Sequence, residues 1–403
     1  MRAQRPAFRN CMPLILLVYL AAMGGCAGNA ETVPATVVPA VGLSAMAALG
    51  EKIFHDVSLS ASGRLSCATC HDAGHALSAA DALPVPLGGV MGQSQGLRNA
   101  PSLRYVALTP AFFFDSEGTP TGGFDRDGRV STLAEQARRP FLTPFEMANV
   151  SAADVADKLS RADYAAGFRA QFGERIFDDP AAAFERALLA IQKYEQEDVA
   201  AFAPFSSKYD AFQDGRAELT DAELRGLALF NNPLKGNCAA CHPSSRGPNG
   251  ERPLFTDFTY DNIGVPRNPA IAANADPTHV DLGLCGPERT DLADRLDLCG
   301  AFKVPTLRNV TSTAPYFHNG KFATLREALG FYVRRDTHPQ EWYPTDSAGV
   351  VHAFDDLPGA YLANVNHTEV PYNRVLGDVP ALDENEITDV ISFLQTLNDG
   401  YQP

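Results

Sequence analysis

Two pentapeptides carry the chemistry of this chain: Cys67-Ala-Thr-Cys70-His71 and Cys238-Ala-Ala-Cys241-His242. In each, the two thiols can add across the two vinyl groups of a porphyrin, whose edge sets their spacing. The His that follows is placed to ligate the iron from the same side. This is the attachment signature of c-type haem, so two covalent haems are expected, with His71 and His242 as iron ligands. A zinc site would bring its CxxC pairs closer in sequence, although a fold could join them. A thioredoxin-type redox pair needs a βαβ setting that is missing here, and it gives the trailing His no purpose. The chain has eight Cys. Cys11 and Cys26 belong to the N-terminal leader, and Cys285 and Cys299 have no haem to serve. The latter two are expected to form a disulfide closing the polar loop from Gly286 to Leu298.

The elements around the motifs repeat. From Leu43 to Phe54, Met46, Leu49, Gly50 and Ile53 fall at helical spacing and lead into Cys67. From Leu219 to Phe230, a capping box from Thr220 to Glu223 opens a helix that leads into Cys238. That helix puts Leu224, Leu227 and Ala228 on one face. Apolar helices are expected again over residues 184–194 and 387–397. Helix, CxxCH, long loop, helix, twice over, is an internal repeat. Pro204, Ser206, Ser207 and Gly215 interrupt the pattern between the copies. The reading is all-α: two tandem cytochrome c-like haem domains, residues 31–205 and 206–403, with long loops. Strand signals are few, and loops rich in Pro and Gly make sense if a haem supplies much of each core.

Composition sets the class and the compartment. The 403 residues are 45% hydrophobic and 20% charged, which excludes disorder and coiled coil as the main description. The net charge of −15 argues against nucleic acid as a partner and favours a neutral or basic one, or solubility alone. Arg2, Arg5 and Arg9 precede an apolar run from Pro13 to Ala22, too short to span a bilayer but suited to a signal peptide over residues 1–30. Met23-Gly24-Gly25-Cys26 resembles a lipoprotein cleavage site, so Cys26 is a candidate lipid anchor to the membrane. Ordinary cleavage near Gly28-Asn29-Ala30 is the alternative. The expected location is the periplasm of a Gram-negative bacterium, where disulfides persist.

With this layout the chain resembles the bacterial di-haem cytochrome c peroxidase and MauG family, from about residue 40 to about residue 400. Further markers are Leu97-Arg-Asn-Ala-Pro-Ser-Leu103, Asp127-Gly-Arg129, Leu133-Ala-Glu-Gln-Ala137 and Pro144-Phe-Glu-Met147. In the second half they are Asp261-Asn-Ile-Gly-Val-Pro266, Phe302-Lys-Val-Pro-Thr-Leu-Arg-Asn309 and Ala314-Pro-Tyr-Phe-His-Asn-Gly320. The resemblance implies that the N-terminal haem, on His71, meets hydrogen peroxide, with Gln136, Pro140 and Glu146 on its far side. Cleaving a peroxide bond needs a proton moved from the near to the far oxygen, and a carboxylate can move it. Gln136 can hold peroxide or water by hydrogen bond. The second haem, on His242, would store electrons, with Tyr332 as its other axial ligand, as in MauG, where most peroxidases of the family use Met. A phenolate lowers the potential that Met would raise. Calcium is implied too, held by the Asn99 side chain and the carbonyls of Thr313 and Pro315.

Two departures from the family pattern stand out. Many members place a Trp between the haems where this chain has Arg126, and Phe124 or Tyr316 is the candidate to take its place. Between His71 and Asn99 the one His is His75, expected on the same side as His71, so the peroxide haem should be open at rest. His55 is expected to pack on the first motif, His318 to hold the haem–calcium interface, and His279, His338, His352 and His367 to lie in surface loops. Two activities follow. One is peroxide reduction with electrons from a small donor protein, a cytochrome c or a cupredoxin. The other is a MauG-like oxidation of Tyr or Trp in a protein substrate. An electron carrier without catalysis is opposed by Gln136 and Glu146.

Overall fold

The computed structural model describes residues 42–403; the leader, with Cys11 and Cys26, lies outside them. The helices are α1 (Ala45–His55), α2 (Cys67–Cys70), α3 (Leu133–Leu142), α4 (Ala152–Arg161), α5 (Ala165–Phe172) and α6 (Pro180–Glu197). They continue with α7 (Val199–Phe202), α8 (Lys208–Gln213), α9 (Asp221–Asn231), α10 (Leu325–Arg334) and α11 (Glu384–Gln395). Six two-residue strands make three small antiparallel ribbons: β1 (Leu87–Gly88) with β2 (Ser94–Gln95), β3 (Phe113–Phe114) with β4 (Pro120–Thr121), and β5 (Tyr260–Asp261) with β6 (Phe302–Lys303). The all-α class is thus observed. Among the described residues no helix is long and apolar enough to cross a membrane.

Local chemistry sets the helix ends. Thr220 and Glu223 form the capping box of α9, each satisfying an orphan N–H of the other's turn. Asp179 caps α6 with Pro180 in its first turn, where a missing N–H is harmless. That start, with an end at Glu197, makes α6 longer than the apolar stretch 184–194 indicates.

The repeat has a physical basis in two helix crossings. Gly50 of α1 lies on α6, where a Cβ would run into the Ala190 carbonyl. Gly226 of α9 lies on α11, where a Cβ would run into the Asp389 carbonyl. In both helices a buried Phe follows one turn later, Phe54 at 2% and Phe230 at 1% exposure. Burying such a side chain contributes about 1.5–3 kcal/mol. One core gathers α1 and α3–α7 around Phe141, Phe168, Phe184 and Leu188. A second gathers Tyr209, Phe230, Phe255, Val390 and Phe393. A third, unanticipated, is aromatic and built from loops and α10: Phe322, Phe331 and Tyr343, with Trp342 and Phe354 against them.

One buried ion pair fixes the second half, and a hydrogen bond ties it to the first. Arg308 forks onto Asp210 with both bonds at 2.9 Å, and neither side chain is exposed. Tyr105 donates to Asp399 at 2.7 Å. Cys285 and Cys299 form the expected disulfide, closing the loop between them.

Candidate active site

Both motifs present their His in the same way. The His71 Nδ1 lies 3.0 Å from the Leu77 carbonyl, and the His242 Nδ1 lies 2.7 Å from the Phe255 carbonyl. A carbonyl can only accept, so each Nδ1 carries the proton and each Nε2 keeps its lone pair for a metal. Leu77 and Phe255 both sit in the left-handed region, at φ 58° and 54°, which turns their carbonyls onto the rings. Burial lowers both imidazole pKa values and so favours the neutral, ligating form. None of the four motif cysteines is in a disulfide. Burial pushes the thiols up, Cys67, Cys238 and Cys241 to about 12 and Cys70 to about 11. Among the described residues no three His, Cys, Asp or Glu side chains converge as a metal site.

Beside the first motif stands Glu146. It follows α3 on a tight turn in which its N–H donates to the Thr143 carbonyl at 3.0 Å and Gly89 N–H donates to its own carbonyl at 2.7 Å. Pro140 lies inside α3, and its carbonyl accepts from Met147 at 3.0 Å, which closes the turn. The Glu146 Oε2 is buried without a hydrogen-bond partner. Burial, reinforced by Asp125 and opposed by Arg139 and Arg129, raises the carboxyl to about 7. Met147, the next residue, packs in the same core as Cys67, which brings this turn to the first motif. A buried, unpaired carboxyl that titrates near neutrality is suited to giving and taking protons.

A cavity of about 330 Å³ runs against the second motif. Cys238, Cys241 and His242 line it, with Tyr332 of α10 and, from the first half, Gln136 and Arg126. The Tyr332 ring tilts against Phe317 at 5.5 Å and Tyr372 at 6.3 Å. Burial, then the nearby Cys241 and Cys238, push its phenol up, and no hydrogen bond contributes. An uncommitted phenol, a fixed imidazole and two thiols in one cavity fit a c-type haem. At the first motif, His71, Cys67, Cys70 and the orphaned Glu146 oxygen fit one as well.

The calcium ligands do not fit as expected. Asn99, Thr313 and Pro315 do line the cavity together. The Asn99 Oδ1, however, accepts from Arg126 Nη2 at 2.9 Å, and its backbone carbonyl accepts from Nη2 at 3.2 Å and Nε at 3.3 Å. A guanidinium holds the oxygen that calcium would need.

Other expectations divide. Phe124 and Tyr316 both line the cavity, and Tyr316 donates to the Val310 carbonyl at 3.1 Å. His75 is half exposed and paired with Asp72 at 2.8 Å, away from any capping role. His55 is exposed at the end of α1, edge-on to Phe54. His318 is buried, stacked 3.7 Å from Phe302, with its Nε2 unpartnered, and its carbonyl accepts from Asn99 N–H at 2.7 Å. Burial, with Arg98 and Arg126 and against Asp281, lowers His318 to about 3. His279, His338, His352 and His367 are exposed or half-buried. Sequence reasoning missed Arg98, which bonds Asp127 at 2.8 Å and Asp281 at 2.6 Å, and Glu195, buried and raised to about 8. Arg98 lies in a quoted marker, but its partner Asp281 is 183 positions away, beyond any local pattern.

A mostly helical chain with two such motifs, each with its His held in the ligating tautomer, is a c-type di-haem cytochrome in architecture. A family model described as di-haem cytochrome c peroxidase matches residues 44–218. The methylamine utilization protein MauG of Paracoccus denitrificans is 38% identical over 92% of this chain and 95% of its own length. The cytochrome c551 peroxidase of Nitrosomonas europaea is 32% identical over 70% and 71%. Among solved structures, the diheme peroxidase BthA of Burkholderia thailandensis superposes with a TM-score of 0.81 at 43% identity, over 89% of this chain and 87% of that one. The chain belongs to the di-haem cytochrome c peroxidase family, which takes in the MauG proteins. It is therefore an oxidoreductase of the peroxidase type with two c-type haems.

Proposed function

We propose that the protein reduces hydrogen peroxide at the His71 site, with electrons relayed through the His242 site from a small cytochrome c or cupredoxin. Residues 31–205 and 206–403 are the two haem units of this reading, exported to the periplasm and held there, in one form, by a lipid on Cys26. The observation that carries the reading is the buried, unpartnered Glu146 carboxyl beside the first motif.

Cys67 and Cys70 would hold one haem and Cys238 and Cys241 the other, with His71, His242 and Tyr332 as axial ligands. When bound, these groups supply an iron that takes up peroxide and a second iron that stores electrons. Glu146, as carboxylate, takes the proton from the near oxygen of peroxide and returns it to the far one, which leaves as water. Gln136, which reaches the cavity from the first half, is the amide that the family resemblance assigns to holding the peroxide. Two electrons and two protons per peroxide complete the conversion to two waters. The Leu77 carbonyl keeps His71 in one orientation throughout. Calcium has no part in this reading.

A second reading, oxidation of Tyr or Trp in a partner protein, is favoured by Tyr332 and by the 38% identity to a MauG. Holoprotein mixed with H₂O₂ and a reduced cytochrome c or cupredoxin separates the two. Peroxide loss matched by donor oxidation supports peroxide reduction. Loss only with a protein substrate, whose Tyr or Trp is modified, supports the second reading. No loss under either condition rejects both.

A further inference from the structure

We propose that the Arg126 guanidinium is the resident cation of the cavity beside Asn99, and that this protein binds no calcium there. Both Asn99 oxygens accept from the one guanidinium, at 2.9 Å on Oδ1 and 3.2 and 3.3 Å on the backbone carbonyl. Calcium gathers six to eight oxygens and competes for lone pairs with any donor already on them. Here a guanidinium already sits on the side-chain oxygen, and a dication sharing that oxygen would lie against its positive charge.

Charge points the same way. The carboxylates flanking Arg126 are committed elsewhere: Asp125 to Arg129 at 2.9 Å, and Asp127 to Arg98 at 2.8 Å. Asp281, also on the cavity, forks onto Arg98 at 2.6 and 2.7 Å. Lys303 donates its ammonium to the Gly123 carbonyl, and its backbone N–H donates to the Arg126 carbonyl at 2.9 Å. Arg126 and Lys303, which both line the cavity, thus crowd a space that a divalent cation would need to find electronegative. Among the described residues no carboxylate is bonded to Arg126, so its positive charge reaches the cavity unneutralised. A guanidinium also ties residue 126 to residue 99 with three directional bonds. That link cannot be lost by chelation.

The inference holds whichever substrate the protein oxidises, because it concerns the cation alone. The test equilibrates purified holoprotein with CaCl₂, removes free ion, measures bound calcium by elemental analysis, and records melting with EDTA or CaCl₂. The wild type should retain no calcium and melt at the same temperature in both. Arg126→Ala frees both Asn99 oxygens and should retain stoichiometric calcium, with a Tm that rises in CaCl₂. Arg126→Lys keeps the charge and should stay calcium-free. Stoichiometric calcium in the wild type, with a Tm lowered by EDTA, overturns the proposal even if the variants fail to fold. Folded Arg126→Ala without calcium also overturns it, because the guanidinium would not be what excludes the ion.

Discussion

Gly88 lies directly beneath Glu146: a Cβ on Gly88 would stand 2.8 Å from the Glu146 carbonyl oxygen and 2.9 Å from its Cα. The obstacle is backbone, which cannot swing aside as the tip of a long side chain can. The ribbon of β1 and β2 therefore sets the height of the turn that carries the acid. Gly88→Ala should displace Glu146 and slow the reaction with peroxide roughly 10–100-fold, since small misplacements of a reacting group are costly. Haem content should be unchanged. Rapid mixing of the variant with H₂O₂ checks this, and a wild-type rate would show that the turn has room to yield.

Glu146 predicts the pH profile. Its carboxyl is raised to about 7 by burial first and Asp125 second. The carboxylate form takes the proton from peroxide, so the rate should fall as pH drops through about 7 and level off above it. The stability sign is opposite: a raised acid favours the fold fully below its unfolded value, and that contribution is lost as pH rises through the folded one. A rate profile flat from pH 5 to pH 9 would remove Glu146 as the titrating base.

Tyr332→Phe removes the phenol facing the second motif and leaves its packing on Phe317 and Tyr372. Absorption and paramagnetic resonance spectra of the ferric protein should change for one haem of the two. The other haem should keep its spectrum. Identical spectra in variant and wild type would mean that the phenol does not ligate iron.

Arg308→Met removes the guanidinium fork from Asp210, whose unexposed carboxylate then keeps only Arg252 at 3.2 Å and the Ser207 hydrogen bonds. Burial opposes ionisation of Asp210, but the Arg308 bond and charge outweigh it and hold the group down to about 2. The pair therefore stabilises the fold above the ordinary carboxylate range and loses that contribution as pH falls towards 2. Removing one partner of such a pair costs about 3–5 kcal/mol, a fall in Tm on the order of 10 °C. A melt within a degree or two of wild type would place the pair in contact with water.

What could be read from sequence was what is local. The capping box at Thr220 and the periodicity of α1 and α9 need only neighbours within two turns. Cys285 and Cys299 paired because no other role remained for them. Distant polar partners left no trace: Arg126 reaches Asn99 across 27 positions, and nothing in Asp125-Arg126-Asp127 shows that both acids would turn to other arginines. Ion pairing is set by the fold and not by spacing, so the expected calcium set looked intact. The aromatic core around Phe331, Tyr343 and Trp342 was hidden for a related reason. Its residues come from α10 and loops without a shared period.

The central claim is that Glu146 moves the peroxide proton. Glu146→Gln keeps the side-chain volume and a hydrogen-bonding group but cannot relay a proton. General acid–base catalysis of this kind is worth about 10²–10⁴-fold. The decisive measurement is the second-order rate of the ferric holoprotein with H₂O₂, by stopped-flow, for wild type and Glu146→Gln with equal haem content. A rate lower by at least about 10²-fold, with no dependence on pH near 7, is predicted. A wild-type rate in Glu146→Gln would contradict the account and place the acid elsewhere.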